Sequence, residues 1–323
     1  MKHYDVLVVG GGPGGSSCAR ELVRSGADVA VLDRATFPRL KLCAGWVTPD
    51  ALQALELAES DYQRSFLTFN RFHVHLLGMH LKARTVQHSI RRVEFDDFLL
   101  ERSSAPVINH YVKNIRREGA RYIIDETYSC DHLVGAGGTK CPVYKALFRE
   151  VNPRAKTLQV VTLEHEFAYD WEDGDCHLWF FKDKLPGYAW YVPKARGHLN
   201  VGLGGMATKL KQRGGDIKRH WARFVSLLSE RGFARNVEYD PVGYSYYLRG
   251  NVDVVRVENA FIVGDAAGLA TRDLCEGIGP AVVSGIKAAR AITEDVDYRL
   301  DDVVAHSTES FVAKKTLEYA FTG

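Results

Sequence analysis

Tyr4-Asp5-Val6-Leu7-Val8-Val9-Gly10-Gly11-Gly12-Pro13-Gly14-Gly15 opens the segment that decides the fold, and Asp33 closes it. The apolar run Tyr4 to Val9 leads into the glycine turn. A helix-compatible stretch follows from Ser16 to Ser25, and a second apolar run, Asp28 to Leu32, ends in Asp33. Strand, glycine turn, helix, strand and acid stand in the order a dinucleotide site requires. Gly10 permits the tight turn, Gly12 lets a pyrophosphate approach the backbone, and Gly15 lets the helix pack against the strand. The N–H groups and positive dipole end of the helix then face the phosphates across Pro13 and Gly14. Asp33, with Arg34 beside it, follows Gly10 by 23 residues, the spacing of an acid that bonds a ribose hydroxyl.

The rest of the chain is ordinary in bulk. Its 323 residues suffice for one large or two medium domains. Apolar residues at 46% and charged residues at 25% fit a soluble globular protein. The net charge of +2, with dispersed Arg and Lys, points away from nucleic acid. No apolar stretch reaches the roughly 20 residues of a membrane span. The N-terminus enters a strand within three residues, so no signal peptide is expected. Six cysteines show no C-x-x-C pair and no metal spacing, which makes a reducing cytoplasm, free thiols and no metal the expectation.

Patterning divides the chain. Thr48 to Ala58 reads as a helix with Thr48 as N-cap. Phe66 to Arg92 alternates apolar and polar residues about a turn at Gly78, as antiparallel strands with one wet face do. Val93 to Ser103 is helical; Val107 to Val112, Arg121 to Ile124 and Asp131 to Gly135 read as strands. Val160 to Leu203 and Val237 to Leu248 are strand-like and aromatic, with an amphipathic helix, Ile217 to Leu228, between them. Ala260 to Val263 is a last buried strand, ending in Gly264-Asp265, and a helix runs from about Gly279 to Glu294. The expected fold is α/β: a Rossmann-type domain with an inserted antiparallel β-sheet. The nucleotide domain takes residues 1–61, 93–155 and 251–323, and the β-rich substrate domain takes 62–92 and 156–250, with a ligand cleft between them.

Gly10 to Gly15 with Asp33, Lys41-Leu42-Cys43-Ala44-Gly45, Arg92-Val93-Glu94-Phe95-Asp96, and Gly264-Asp265-Ala266-Ala267-Gly268 with Glu276-Gly277-Ile278 share the order and spacing of FAD-dependent oxidoreductases. The chain resembles the geranylgeranyl reductase family, itself similar in fold to para-hydroxybenzoate hydroxylase. That resemblance implies that FAD lies with its pyrophosphate on Gly10, Gly12, Pro13, Gly14 and Gly15, and its adenosine ribose at Asp33 and Arg34. Arg92 would meet the phosphates or ribityl chain, and Val112 the adenine side. Gly264 and Asp265 would hold the ribityl or pyrophosphate region, and Gly277 and Ile278 the isoalloxazine. Lys41, Cys43, Ala44 and Gly45 match a K-x-C-G-G stretch beside the flavin ring, Ala44 replacing a glycine. Cys43 is the candidate catalytic residue, tuning the ring or assisting protonation, and it reads equally as a small buried residue.

Gly187-Tyr188-Ala189-Trp190-Tyr191-Val192-Pro193 resembles the Y-x-W-x-F-P segment of the same family and approaches a segment of flavin halogenases. Trp46, Tyr188, Trp190 and Tyr191 are the candidate substrate-pocket residues, with one of Trp190 and Tyr191 lining the pocket and the other packing in the core. Tyr244, Tyr246 and Tyr247 are further candidates. His73, His75 and Glu166 are scattered and no catalytic acid stands out. Gly137 replaces the acid of a G-A-D-G segment, so NAD(P)H and a redox protein both stay open as electron donor. The activity the resemblance implies is reduction of a carbon–carbon double bond in an apolar, isoprenoid-like small molecule. The alternatives are an aromatic hydroxylase or halogenase and a non-catalytic electron-transfer protein. Contact with a membrane surface also stays open.

Overall fold

The computed structural model describes residues 1–76 and 78–308, so the stretch 309–323 of the expected nucleotide domain lies outside the described residues. The apolar runs form two eight-stranded sheets. In the first, Lys2–Val9 lies between Val29–Asp33 and Tyr128–Gly135, all parallel, as expected when crossover helices cover the faces. Val107–Asn109 extends one edge in parallel. On the far side, the C-terminal half of Tyr128–Gly135 pairs in parallel with Ala260–Ile262. Its N-terminal half pairs with Arg121–Ile124, one arm of a hairpin.

Helices Pro13–Arg24, Arg92–Ser103 and Ile278–Thr293 pack with this sheet. The first and last of them touch at two glycines. A Cβ on Gly285 would sit 2.1 Å from the carbonyl oxygen of Gly14. That crossing brings the helix Ile278–Thr293 onto the start of the first helix.

The second sheet runs in the order Val242–Tyr247, Gln159–Ala168, His198–Met206, Gly187–Lys194, Cys176–Phe180, Phe66–Leu76, Met79–Ile90 and Trp46–Val47. Every pair is antiparallel except Cys176–Phe180 with Phe66–Leu76. Helix Ile217–Glu230 buries Trp221, Phe224 and Leu228 against Tyr191, Leu199 and Leu203 on one face. The other face, carrying Trp190 and Tyr188, turns toward the first sheet.

Three local expectations are revised. The helix after Thr48 stops at Ala54, although Thr48 caps it as expected, accepting from the Ala51 amide at 3.2 Å. The strand from Val107 ends at Asn109, since only those three residues find a partner edge. Trp46–Val47, grouped by sequence with the nucleotide segment, instead pairs with Met79–Ile90 at the edge of the second sheet. No helix among the described residues is long and apolar enough to cross a membrane.

Candidate functional site

A cavity of about 790 Å³ lies between the sheets, within the range of cofactor sites. Gly10, Gly12, Pro13 and Gly14 form one end of its wall. Gly10 sits at φ +114°, a conformation few other residues adopt, and a Cβ on Gly15 would lie 1.8 Å from the Gly10 carbonyl oxygen. Gly15 therefore does not line the cavity; it sets how closely the helix approaches. No side chain caps the first helix, and Pro13 occupies its first turn. Across from Gly12, the Arg39 guanidinium comes within 3.5 Å of where a Cβ would be.

Asp33 lines the same end. Its oxygens accept from the Gly11 amide at 2.8 Å and the Ala35 amide at 2.9 Å, so the acid also fixes the glycine turn. A carboxylate oxygen has a second lone pair for a sugar hydroxyl. Arg34 and Val112 complete this end. Arg92 makes a two-pronged bond to buried Asp96 at 2.6 and 2.7 Å, and Arg39 meets the same carboxylate at 3.2 Å. Burial opposes the charge of Arg92, but Asp96 outweighs it and holds the guanidinium cationic. Arg39 escaped sequence reading because nothing local links it to Gly12.

Further along, Gly264 and Asp265 end the strand Ala260–Ile262 and enter the wall with Gly277 and Ile278. The Asp265 carboxylate lies 3.4 Å from the Cβ position of Gly277. The glycine turn and the Gly264-Asp265 bend thus share one elongated cavity. An open helix start for a diphosphate, two fixed arginines and carboxylates at sugar height fit FAD.

The loop 41–45 forms the next part of the wall. The Lys41 ammonium stands 3.4 Å from the centre of the Tyr244 ring. The Gly45 amide donates to the Cys43 sulfur at 3.3 Å. Gly45 carries the loop's left-handed residue, at φ +65°, and a Cβ there would strike the Ile90 carbonyl at 2.2 Å. Gly45 is therefore a packing residue rather than a wall residue. Ala44 is not among the positive-φ residues, so its replacement of a glycine is accommodated. Cys43 and Cys275 both line the cavity as free thiols, and burial pushes Cys275 up to about 12, which keeps it protonated at neutral pH.

The second sheet closes the cavity with Tyr188, Trp190, Tyr244, Tyr246, Thr162 and Glu164; Trp46 joins from the sheet edge. Tyr188 donates to the Leu274 carbonyl at 2.5 Å and Trp46 to Gln87 at 2.8 Å. Tyr191 is corrected: one residue on from Trp190, it faces the opposite side, packs in the core beneath Ile217–Glu230 and donates to the Asp173 carbonyl at 3.1 Å. Tyr247 faces Arg154 and also falls outside the wall.

Two acids belong to the wall as well: Glu164, which sequence reading did not single out, and Glu276, named there only within its motif. Burial raises Glu164 to about 7, against the opposing pull of Lys41 and Lys194. Burial likewise raises Glu276 to about 7, and its carboxylate engages the hydroxyls of Ser307 and Thr48.

A family model described as pyridine nucleotide-disulphide oxidoreductase matches residues 4–152. Digeranylgeranylglycerophospholipid reductase 2 of Methanosphaera stadtmanae is 25% identical, over 99% of this chain and 86% of its own length. A geranylgeranyl bacteriochlorophyll reductase-like structure from Thermoplasma acidophilum superposes with a TM-score of 0.78 at 20% identity, covering 99% of this chain and 83% of that one. The myxobacterial chondrochloren halogenase superposes with a TM-score of 0.73 at 20% identity, covering 91% and 75%. The structures share the fold. The protein is an FAD-dependent oxidoreductase enzyme. Within that class, its sequence is similar to digeranylgeranylglycerophospholipid reductases and its fold to a geranylgeranyl bacteriochlorophyll reductase-like structure.

Proposed function

We propose that this enzyme reduces a carbon–carbon double bond in an apolar, isoprenoid-like small molecule. The observation that carries this reading is the aromatic slot continuous with the cofactor cradle. Tyr188, Trp190, Tyr246 and Leu274 line the same cavity as Gly12 and Asp265. The names of relatives aligned along most of the chain, digeranylgeranylglycerophospholipid reductases, support the same substrate class.

Bound FAD, once reduced, supplies a hydride. The protein residues bind, orient and exclude water. Gly12 to Gly14, Arg39 and Arg92 hold the phosphates, and Asp33 and Asp265 take sugar or ribityl hydroxyls. Broad ring faces bury an alkene chain, each methylene removed from water contributing about 0.8 kcal/mol. The basic residues Arg34, Lys113, Lys140 and Lys145 stand on the cavity wall, where a nicotinamide nucleotide or an acidic redox protein would deliver electrons. We propose one of these two as donor.

The test uses the FAD-loaded protein, reduced with dithionite under nitrogen and mixed with digeranylgeranylglycerol phosphate. The expected product gains one H2 per double bond by mass spectrometry. Substrate-dependent oxygen uptake with a hydroxylated or halogenated product would overturn this reading.

A further inference from the structure

Three strands place an acid, a gap and an indole in register. Glu164 lies opposite Gly202, and Gly202 lies opposite Trp190. Gly202 has no side chain, and the indole fills its place. A Cβ there would sit 2.2 Å from the Trp190 ring and 2.8 Å from the Glu164 Cβ. Trp190 is held in that place because its Nε1 donates to Asn200 at 2.8 Å. Asn200 in turn reaches the Cys43 carbonyl at 3.4 Å, and the Cys43 amide donates toward the Glu164 carboxylate. Glu164 is 3% exposed, and it lines the cavity on the sheet face that carries Trp190 and Tyr246.

We propose that Glu164 is the proton donor of the reduction, standing beside the indole against which the substrate double bond lies. This rests on the reading of the enzyme as a double-bond reductase. Reduced FAD held in the cradle would supply the hydride that forms one C–H bond, and would itself be oxidised. The alkene π pair takes the Glu164 proton and forms the second. The carboxylate left behind recovers a proton from water.

The surroundings suit a neutral acid that becomes an anion once per turnover. Lys41 faces it from the loop and Lys194 from Gly187–Lys194, two strands away, and both stabilise the charged form. Glu166, two residues on, opposes it. Tyr244 and Tyr246 stand on the edge strand beside it. Burial outweighs the lysines and sets the carboxyl at about 7, where a general acid is half protonated at working pH. The competing acids are committed elsewhere. Glu276 engages Ser307 and Thr48, and Glu166 accepts from Arg91 at 2.8 Å.

The experiment compares wild type, E164Q and E164D, each loaded with FAD, with digeranylgeranylglycerol phosphate as probe. FAD affinity is read by fluorescence quenching and folding by circular dichroism. E164Q is expected to bind FAD like wild type and to reduce the probe about 100-fold more slowly or worse. Wild type should lose rate as pH rises through about 7, E164Q should lack that limb, and E164D should keep a displaced one. An E164Q rate within threefold of wild type, or a persisting limb, overturns the proposal while the reductase reading stands. A wild type that leaves the probe unreduced overturns both. Should E164Q fail to fold, E164D decides: an undisplaced limb overturns the proposal.

Discussion

The buried ammonium of Lys194 donates to the carbonyl of Gly45 at 3.3 Å, and to that of Ala44, across 149 residues of chain. One cation on the second sheet thereby pins the loop that borders the cofactor cavity. Lys194 is fully buried, and burial pushes its pKa down against the pull of Glu166.

Replacing it with Met keeps much of the volume and removes the donor from two carbonyls. Leaving a buried acceptor unpaired costs about 1–3 kcal/mol. K194M should therefore lose about 2–3 kcal/mol of stability in urea unfolding and release FAD faster. Unchanged stability would show that the loop does not depend on this contact.

Gly285 does not itself line the cavity, yet it packs on Gly14, which does, and it governs the approach of the last helix to the first. An alanine methyl would have to occupy space 2.1 Å from the Gly14 carbonyl, so the helices must separate. G285A should cost about 1–3 kcal/mol as overpacking does. It should also weaken FAD binding, because Gly14 lies in the first turn of the phosphate-facing helix. The ratio of flavin to protein absorbance in purified material checks this. A fully flavinated G285A protein would refute it.

The glycine turn, Asp33, Asp265 and the alternation of Phe66 to Ile90 were legible because their meaning is local. Period, turn chemistry and spacing reside within a few dozen residues. The aromatic segment 187–193 was half legible: strand alternation assigns Trp190 and Tyr191 to opposite faces but not which face is wet. Glu164 was not legible. Its role depends on register with Gly202 and Trp190 and on the loop at Cys43, more than a hundred residues away. Arg39 was missed for the same reason, since only folding brings it to Gly12. The histidines read as scattered, yet strand pairing gathers them.

Those histidines form two parallel chains at the far end of the second sheet. Asp173 accepts from His177 at 2.9 Å, and His177 meets His75 at 3.1 Å. Asp175 accepts from His73 at 3.0 Å, and His73 meets His80 at 3.0 Å. Arg71 adds a contact to Asp175 at 3.4 Å, and Arg231 adds positive charge near His75. A neutral imidazole has one donor and one acceptor, so a neutral His177 can donate to Asp173 and accept from His75 at once. Burial first, then the neighbouring rings, lowers His75 to about 4; burial outweighs Asp173 and lowers His177 to about 4 as well.

A folded pKa below the ordinary 6.5 favours the neutral form. The stability this gives is therefore complete above about 6.5 and is lost as pH falls toward about 4. The loss attributable to these rings is of the order of 1 kcal/mol, or about 2–4 °C in Tm. Melting curves of wild type and H177F from pH 7.5 to 4.5 (about, spanning the His range) separate this from general acid unfolding. The variant should start lower and fall less steeply; parallel curves would show that the cluster does not titrate with unfolding.

The slot around Gly202 can be tested without replacing the acid. G202A places a methyl 2.2 Å from the Trp190 ring and 2.8 Å from the Glu164 Cβ, so the ring, the tighter contact, must move. The indole then leaves Asn200, and a buried Asn oxygen loses its donor. Two separate readouts follow. Tryptophan emission should shift to the red as the ring meets the open cavity, and probe turnover should fall at least about tenfold through misplacement of the double bond. FAD affinity should hold, since Gly12, Arg39 and Asp33 lie at the other end of the cavity. Loss of FAD together with turnover would instead mean that Gly202 supports the whole sheet. Unchanged emission with unchanged turnover would remove Trp190 from the substrate wall.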